Sequence, residues 1–157
     1  MFSIGQNIVY PMHGAGVVEA IESRVVGGNT TDYYKVRIFS GNINLMIPVS
    51  NSVGTHIRDV IDKAHAEHVL SHFSEYASGD DVPWNKRYKT NVERLKSGDI
   101  EEVAGVFCDL IGREKTHGLS TSDRKMFILT KNIFCSEIAV ALDCEREEIF
   151  DRIMQTI

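Results

Sequence analysis

GGNTTDYYKVRIFSGNINLMI, residues 27–47, contains two turn signals and two alternating runs. Gly27-Gly28-Asn29 marks a turn. From Tyr33 to Phe39 the side chains then alternate, with Tyr34, Val36 and Ile38 on one face and Lys35 and Arg37 on the other. Ser40-Gly41-Asn42 marks the next turn, after which Ile43, Leu45 and Ile47 again share a face. A period of two with polar turns predicts half-buried strands. On the N-terminal side, residues 17–26 (VVEAIESRVV) supply a longer β-rich run. Before it, Ile8-Val9-Tyr10 is a short apolar run closed by Pro11, with Gly14 and Gly16 close behind. Four or five strands with tight turns predict a small, strongly bent sheet or barrel. Such a module buries little surface alone and usually binds a partner along an edge or open face.

Beyond about residue 56 the period changes. Residues 58–76 space apolar side chains helically, and Ser78-Gly79-Asp80-Asp81-Val82-Pro83 is a polar breaker that reads as an interdomain hinge. Ser97-Gly98 stops one helix, and Asp99 with Glu102 forms a capping box for the next, which runs to about Lys115. His117-Gly118 ends that helix, and Ser120 with Asp123 opens a long one through Leu142. Asp143 is placed to cap a final helix in which Ile149, Ile153 and Met154 mark a buried stripe. The predicted class is α+β: a bent β module over residues 1–55, a linker helix and hinge over 56–82, and an all-α bundle over 83–157.

The chain has 157 residues, of which 43% are hydrophobic, so a packed core is expected and disorder is not. No run approaches the roughly 20 apolar residues that cross a bilayer. Met1 to Asn7 lacks the basic and apolar segments of a signal peptide, so a cytoplasmic protein is expected. Cys108, Cys135 and Cys144 are an odd number without CxxC spacing and read as reduced, packed thiols. The net charge of −5 is unevenly spread. Residues 1–57 balance to zero, while residues 58–83 and 132–157 each carry six acids against two bases. Residues 84–131 carry ten bases and seven acids. Local potential decides nucleic-acid binding, because exposed charges are screened beyond about 8 Å. The middle of the chain is therefore where DNA or RNA could bind, and the acidic flanks suit a protein delivered there by a partner.

Trp84, the single tryptophan, follows Pro83 and precedes Asn85-Lys86-Arg87-Tyr88-Lys89 at a helix start. Bases there can neutralise phosphates while the indole presses on or between nucleobases, a contact contributing about 1–3 kcal/mol per base. The competing reading has Trp84 anchoring the hinge onto the bundle, with the bases merely solvated. Tyr88, four residues on and in line with Leu95, is expected in the core. Arg113, Lys115, Arg124, Lys125 and Lys131 form a second basic group around Gly118. Arg113 and Lys115 also have an ordinary explanation at a helix C-terminus.

Other chemistries find less support. His65, His68 and His72 share a helical face with Glu75 nearby, which is a possible zinc pattern, but an amphipathic linker accounts for them equally. No cysteine has an identifiable activating partner. No metal, cofactor, small-molecule substrate or enzymatic activity is expected.

GQNIVYPMHGAGVVEAIESR (residues 5–24) and PWNKRYKTNVERLKSGD (residues 83–99) together resemble the CarD family, also called CdnL, of bacterial transcription regulators. The likeness covers nearly the whole chain. Its first block is shared with the polymerase-interacting domain of transcription-repair coupling factors. The second is specific to CarD, save that Arg94 stands where the family has lysine. The resemblance implies a Tudor-like β domain docking on the β subunit of RNA polymerase. It also implies a helical domain at the upstream edge of the transcription bubble, where Trp84 wedges into the minor groove and Arg87 and Lys89 support it on the DNA backbone. With the basic side chains read above, the expected DNA-binding set is Trp84, Lys86, Arg87, Lys89, Arg124 and Lys125. Arg24 matches a polymerase contact. Met46 stands where some members carry arginine, so an apolar contact with Ile47 and Pro48 is expected to replace an ion pair. The expected partners are thus the polymerase β subunit and promoter DNA with little sequence specificity. The expected location is the cytoplasm, on the nucleoid through polymerase. A polymerase-binding adaptor without DNA contact remains an alternative, as does general nucleic-acid binding.

Overall fold

A computed structural model describes residues 2–51, 57–78 and 83–157; the expected hinge residues 79–82 lie outside them. Five strands form one antiparallel sheet: β1 (Asn7–Tyr10), β2 (Gly14–Val26), β3 (Asn29–Ile38), β4 (Ile43–Pro48) and β5 (Arg58–Asp59). Their order is β4-β3-β2-β1-β5, so the deciding hairpin and its neighbour build one half of the sheet. Tyr34 pairs with Ile47, Val36 with Leu45 and Ile38 with Ile43, as the alternation requires. Opposite residues share a face, and Ile8, Val18, Tyr34, Val36, Ile38 and Ile47 fill the core there. Glu19 is an extra residue between Val18 and Ala20, which shifts the β2–β3 register. Such a bulge bends the strand, consistent with the expected curvature.

Five helices follow: α1 (Lys63–Ser71), α2 (Trp84–Lys96), α3 (Ile100–Thr116), α4 (Thr121–Leu142) and α5 (Arg146–Thr156). The α+β class and the Tudor-like-then-helical arrangement are those expected. Their second core centres on Phe73, Phe107 and Phe134, whose rings lie 5.5–5.8 Å apart.

Several local expectations are corrected. Arg58 and Asp59 are a strand paired with Val9 and Ile8, and the helix after them is shorter than residues 58–76. The reason is that Asp62 caps α1, accepting from the His65 N–H, and no earlier residue does. Asp99 caps α3 through the Glu101 N–H, but Glu102 reaches Arg94 instead of returning to the cap. Asp143 does not start α5. It ends α4 in a left-handed conformation, φ 53°, and Glu145 is the N-cap of α5. Met154 is exposed while Ile149 and Ile153 are buried, because α5 covers α4 along a narrow stripe.

The two modules are joined by more than a linker. The side chain of Met12, in the β1–β2 turn, packs against the helical core. The Ala15 N–H donates to Ser136 Oγ of α4 at 3.1 Å. Gly14 (φ 93°) comes so close to α4 that a Cβ there would stand 2.6 Å from Ser136 Oγ and 3.1 Å from Ile133 Cα. Glu137 of α4, 1% exposed, accepts from Arg58 Nη1 and Nη2 at 2.5 and 2.7 Å and from the Ile61 N–H at 3.0 Å. Arg58 Nε also donates to the Gly98 carbonyl at 2.7 Å, tying the sheet edge to the α2–α3 turn.

Candidate nucleic-acid interface

Pro83 fits the start of α2 because its fixed φ, here −54°, needs no N–H partner, and its carbonyl accepts the Arg87 N–H. Trp84 is therefore the first helical residue. It is 50% exposed, so it does not anchor the bundle with its whole ring. The Tyr88 ring stacks on it at 5.9 Å between centroids and 29° between planes. Tyr88 is itself 40% exposed, which corrects the expectation of core packing. Leu95 and the partly buried Val92 continue that face into the core.

The basic residues divide into two kinds. Lys86 and Lys89 are exposed on α2, and Arg124 and Lys125 on α4. Lys125 and Tyr88 line one recess, so the two helices bring these groups together. Arg87 instead turns inward. Its side chain is 12% exposed, and Nη2 donates to Asp123 Oδ2 at 3.1 Å. Arg113 Nε approaches the same carboxylate oxygen at 3.6 Å. A carboxylate 3% exposed thus gathers guanidiniums from α2 and α3 onto α4 and fixes the helix that carries Trp84. Of the second basic group, Lys131 lies 4.0 Å from the Phe150 ring centroid and 3.9 Å from Glu147. Lys115 donates to the Ile157 carbonyl at 2.9 Å. Both side chains have partners on or after α5, so they are tied to the C-terminal end of the bundle.

On the sheet, Thr31, Tyr33 and Lys35 of β3 share the face opposite Tyr34. Their partners Arg24, Glu22, Met46 and Pro48 therefore share it too. Arg24 lies 3.4 Å from Glu22 and remains well exposed. Ile47 does not belong to this surface: alternation turns it inward against Tyr34, 3% exposed. Its side chain is core, and only its strand, at the sheet edge, can meet a partner. Tyr33 and Lys35 are added to the face by register.

The histidine pattern dissolves into separate contacts. His65 pairs with Glu101 at 2.5 Å, while His68 and His72 stack with centroids 4.2 Å apart.

Residues 2–61 match the model of the CarD-like/TRCF RID domain, and residues 68–154 match that of the CarD C-terminal domain. The chain belongs to the CarD family. This CarD chain is also 38% identical over 149 residues to "Putative transcription factor YdeB" of Bacillus subtilis (strain 168), covering 95% of itself and 97% of that protein. Family membership makes it a transcription regulator, in a class of factors rather than enzymes. Among the described residues no helix of this CarD chain is long and apolar enough to cross a membrane.

Proposed function

We propose that this protein docks on the β subunit of RNA polymerase and stabilises the open promoter complex by contacting DNA at the upstream fork of the bubble. The observation that carries the reading is the exposed Trp84–Tyr88 stack at the start of α2, with Lys125 across the recess that Tyr88 lines and Lys86 and Lys89 exposed on the same helix. An indole held by a packed helix can press into a minor groove without first ordering itself, while the lysines and Arg124 neutralise phosphates. Arg87 acts from beneath, positioning the wedge through Asp123. The polymerase surface is the sheet face of Arg24, Met46 and Pro48, in the division of labour expected between residues 1–55 and 83–157. The protein would then work in the cytoplasm, on the nucleoid.

Magnitudes fit a cofactor of this kind. A ligand shifts an equilibrium only by its differential affinity for the two states. About 1.4 kcal/mol gained in the open state alone lengthens its survival roughly tenfold. Three phosphate contacts give a salt slope of about −3, too weak for independent binding. Polymerase docking must supply the local concentration. Little sequence specificity follows, because no recognition helix reads base edges.

Open-complex lifetime tests the reading, measured with polymerase plus wild-type protein or Trp84→Ala. The wild type should lengthen the lifetime several-fold and the variant should not. If both lengthen it equally, DNA contact through Trp84 is wrong and the adaptor reading replaces it.

A further inference from the structure

Beside the Trp84–Tyr88 stack, between α2 and α4, lies a recess of about 290 Å³. Leu95, Met126 and Leu129 give it an apolar lining. Tyr88 adds an aromatic ring, and Ser122 and Lys125 are its polar groups. The volume is just under the usual range for a small-molecule site, about 300–1,000 Å³. It suits one planar ring system rather than a peptide helix. Leu95 and Met126 are buried in the core, so the recess is backed by packed side chains.

A nucleobase presents two apolar faces, a polar edge and a phosphate a few ångströms away. The recess offers the complement of each: an apolar and aromatic lining, a hydroxyl, and an ammonium. Tyr88 belongs to both features, since the same ring stacks on Trp84 and lines the recess. A wedge that parts a stacking step leaves an unpaired base beside it. The apolar recess adjoining that wedge is this one.

We propose that the α2–α4 recess receives one unpaired base extruded at the upstream fork. The protein then traps the open strand in addition to blocking its re-annealing. The proposal rests on the reading of Trp84 as a DNA-facing residue. The recess has too few polar groups to read a sequence.

The test uses open complexes of polymerase holoenzyme on one promoter, with single abasic sites placed in turn at the first unpaired positions of the upstream fork. The quantity read is the ratio of lifetimes with and without the protein. At one position the abasic site should reduce that ratio about five-fold, comparable to loss of one base stack. Ser122→Trp, which fills the recess from α4, should cause the same reduction on intact DNA and none further on the abasic template. Ile128→Trp, at an exposed position of α4 outside the recess lining, should stay within about two-fold of wild type. The abasic scan uses unaltered protein, so it decides the matter even if Ser122→Trp folds poorly. If no position changes the ratio while Trp84→Ala still abolishes the gain, the recess holds no base and the wedge stands alone. If Trp84→Ala leaves the gain intact, the DNA reading beneath the proposal has failed instead.

Discussion

The Asp123 carboxylate is buried with Arg87 Nη2 at 3.1 Å and Arg113 Nε at 3.6 Å. Removing one side of such a group strands the charge that remains, typically at a cost of about 3–5 kcal/mol. Asp123→Asn is therefore expected to lower the urea midpoint of unfolding strongly, whereas Lys86→Ala and Lys89→Ala should leave it nearly unchanged. His13 gives a second residue-scale outcome. Burial lowers its pKa below the ordinary 6.5. As pH falls through that value the unfolded chain takes up the proton first, so the stability is full above about 6.5 and is lost as pH falls through the lower folded value. Urea midpoints between pH 7.5 and 5 should decline less steeply for His13→Gln than for wild type. Burial also pushes the Cys135 thiol up to about 12, and Cys108 is raised for the same reason. Iodoacetamide at pH 8 should leave both unmodified in the native protein and label them on unfolding. Mass mapping of the alkylated peptides reads this directly.

At the scale of elements, α2 is held to α3 by a side chain laid across a glycine. A Cβ on Gly105 of α3 would overlap the Arg94 guanidinium and stand 2.9 Å from the Tyr76 carbonyl oxygen. Arg94 crosses that gap to reach Glu102 at 2.9 Å and Asp109 at 3.3 Å. The β1–β2 turn meets α4 in the same way through Gly14. Gly14→Ala combines a positive φ with contacts at 2.6 and 3.1 Å, one of them to backbone. It should destabilise the protein by about 1–3 kcal/mol, seen as a lowered melting temperature. Helix and strand types were legible from periodicity and turn residues alone, except at Arg58–Asp59, read as helical and found as a strand paired with β1. The exceptions have a common cause. Glu102 left its capping box for Arg94, Asp143 became an end rather than a start, and Tyr88 stayed outside the core. In each case a partner or an absence of cover from another element outweighed a local preference.

At the scale of the whole molecule, the buried Glu137–Arg58 pair makes the sheet and the bundle one body. A two-site binder with a rigid spacer converts docking energy at one end into occupancy at the other. Calorimetry of the wild type should give a single cooperative transition. Glu137→Ala leaves Arg58 without its carboxylate, so it should lose about 3–5 kcal/mol and broaden or split that transition. If the proposed function holds, a polymerase partner still binds the variant while its gain in open-complex lifetime falls. Stabilising the open state speeds promoters limited by opening and slows those limited by escape, so the sign of regulation belongs to the promoter as well.

Taken alone, the sequence determined the α+β class, the succession of the first four strands and of the helices, and an indole at a helix start, because these depend on periodicity, turn chemistry and capping within a few residues; packing decided that the indole stays half exposed. Its two motif blocks carried the family. Tertiary structure decided which bases remain available and which are committed inward. Arg87 and Lys86 are adjacent in the chain, yet only Arg87 finds Asp123, 36 residues away. Ile47 and Met46 are likewise adjacent, and the strand register sends one into the core and the other to the surface. Burial and ion pairing of this kind are fixed by distances between elements, and those distances are set only when the whole chain packs.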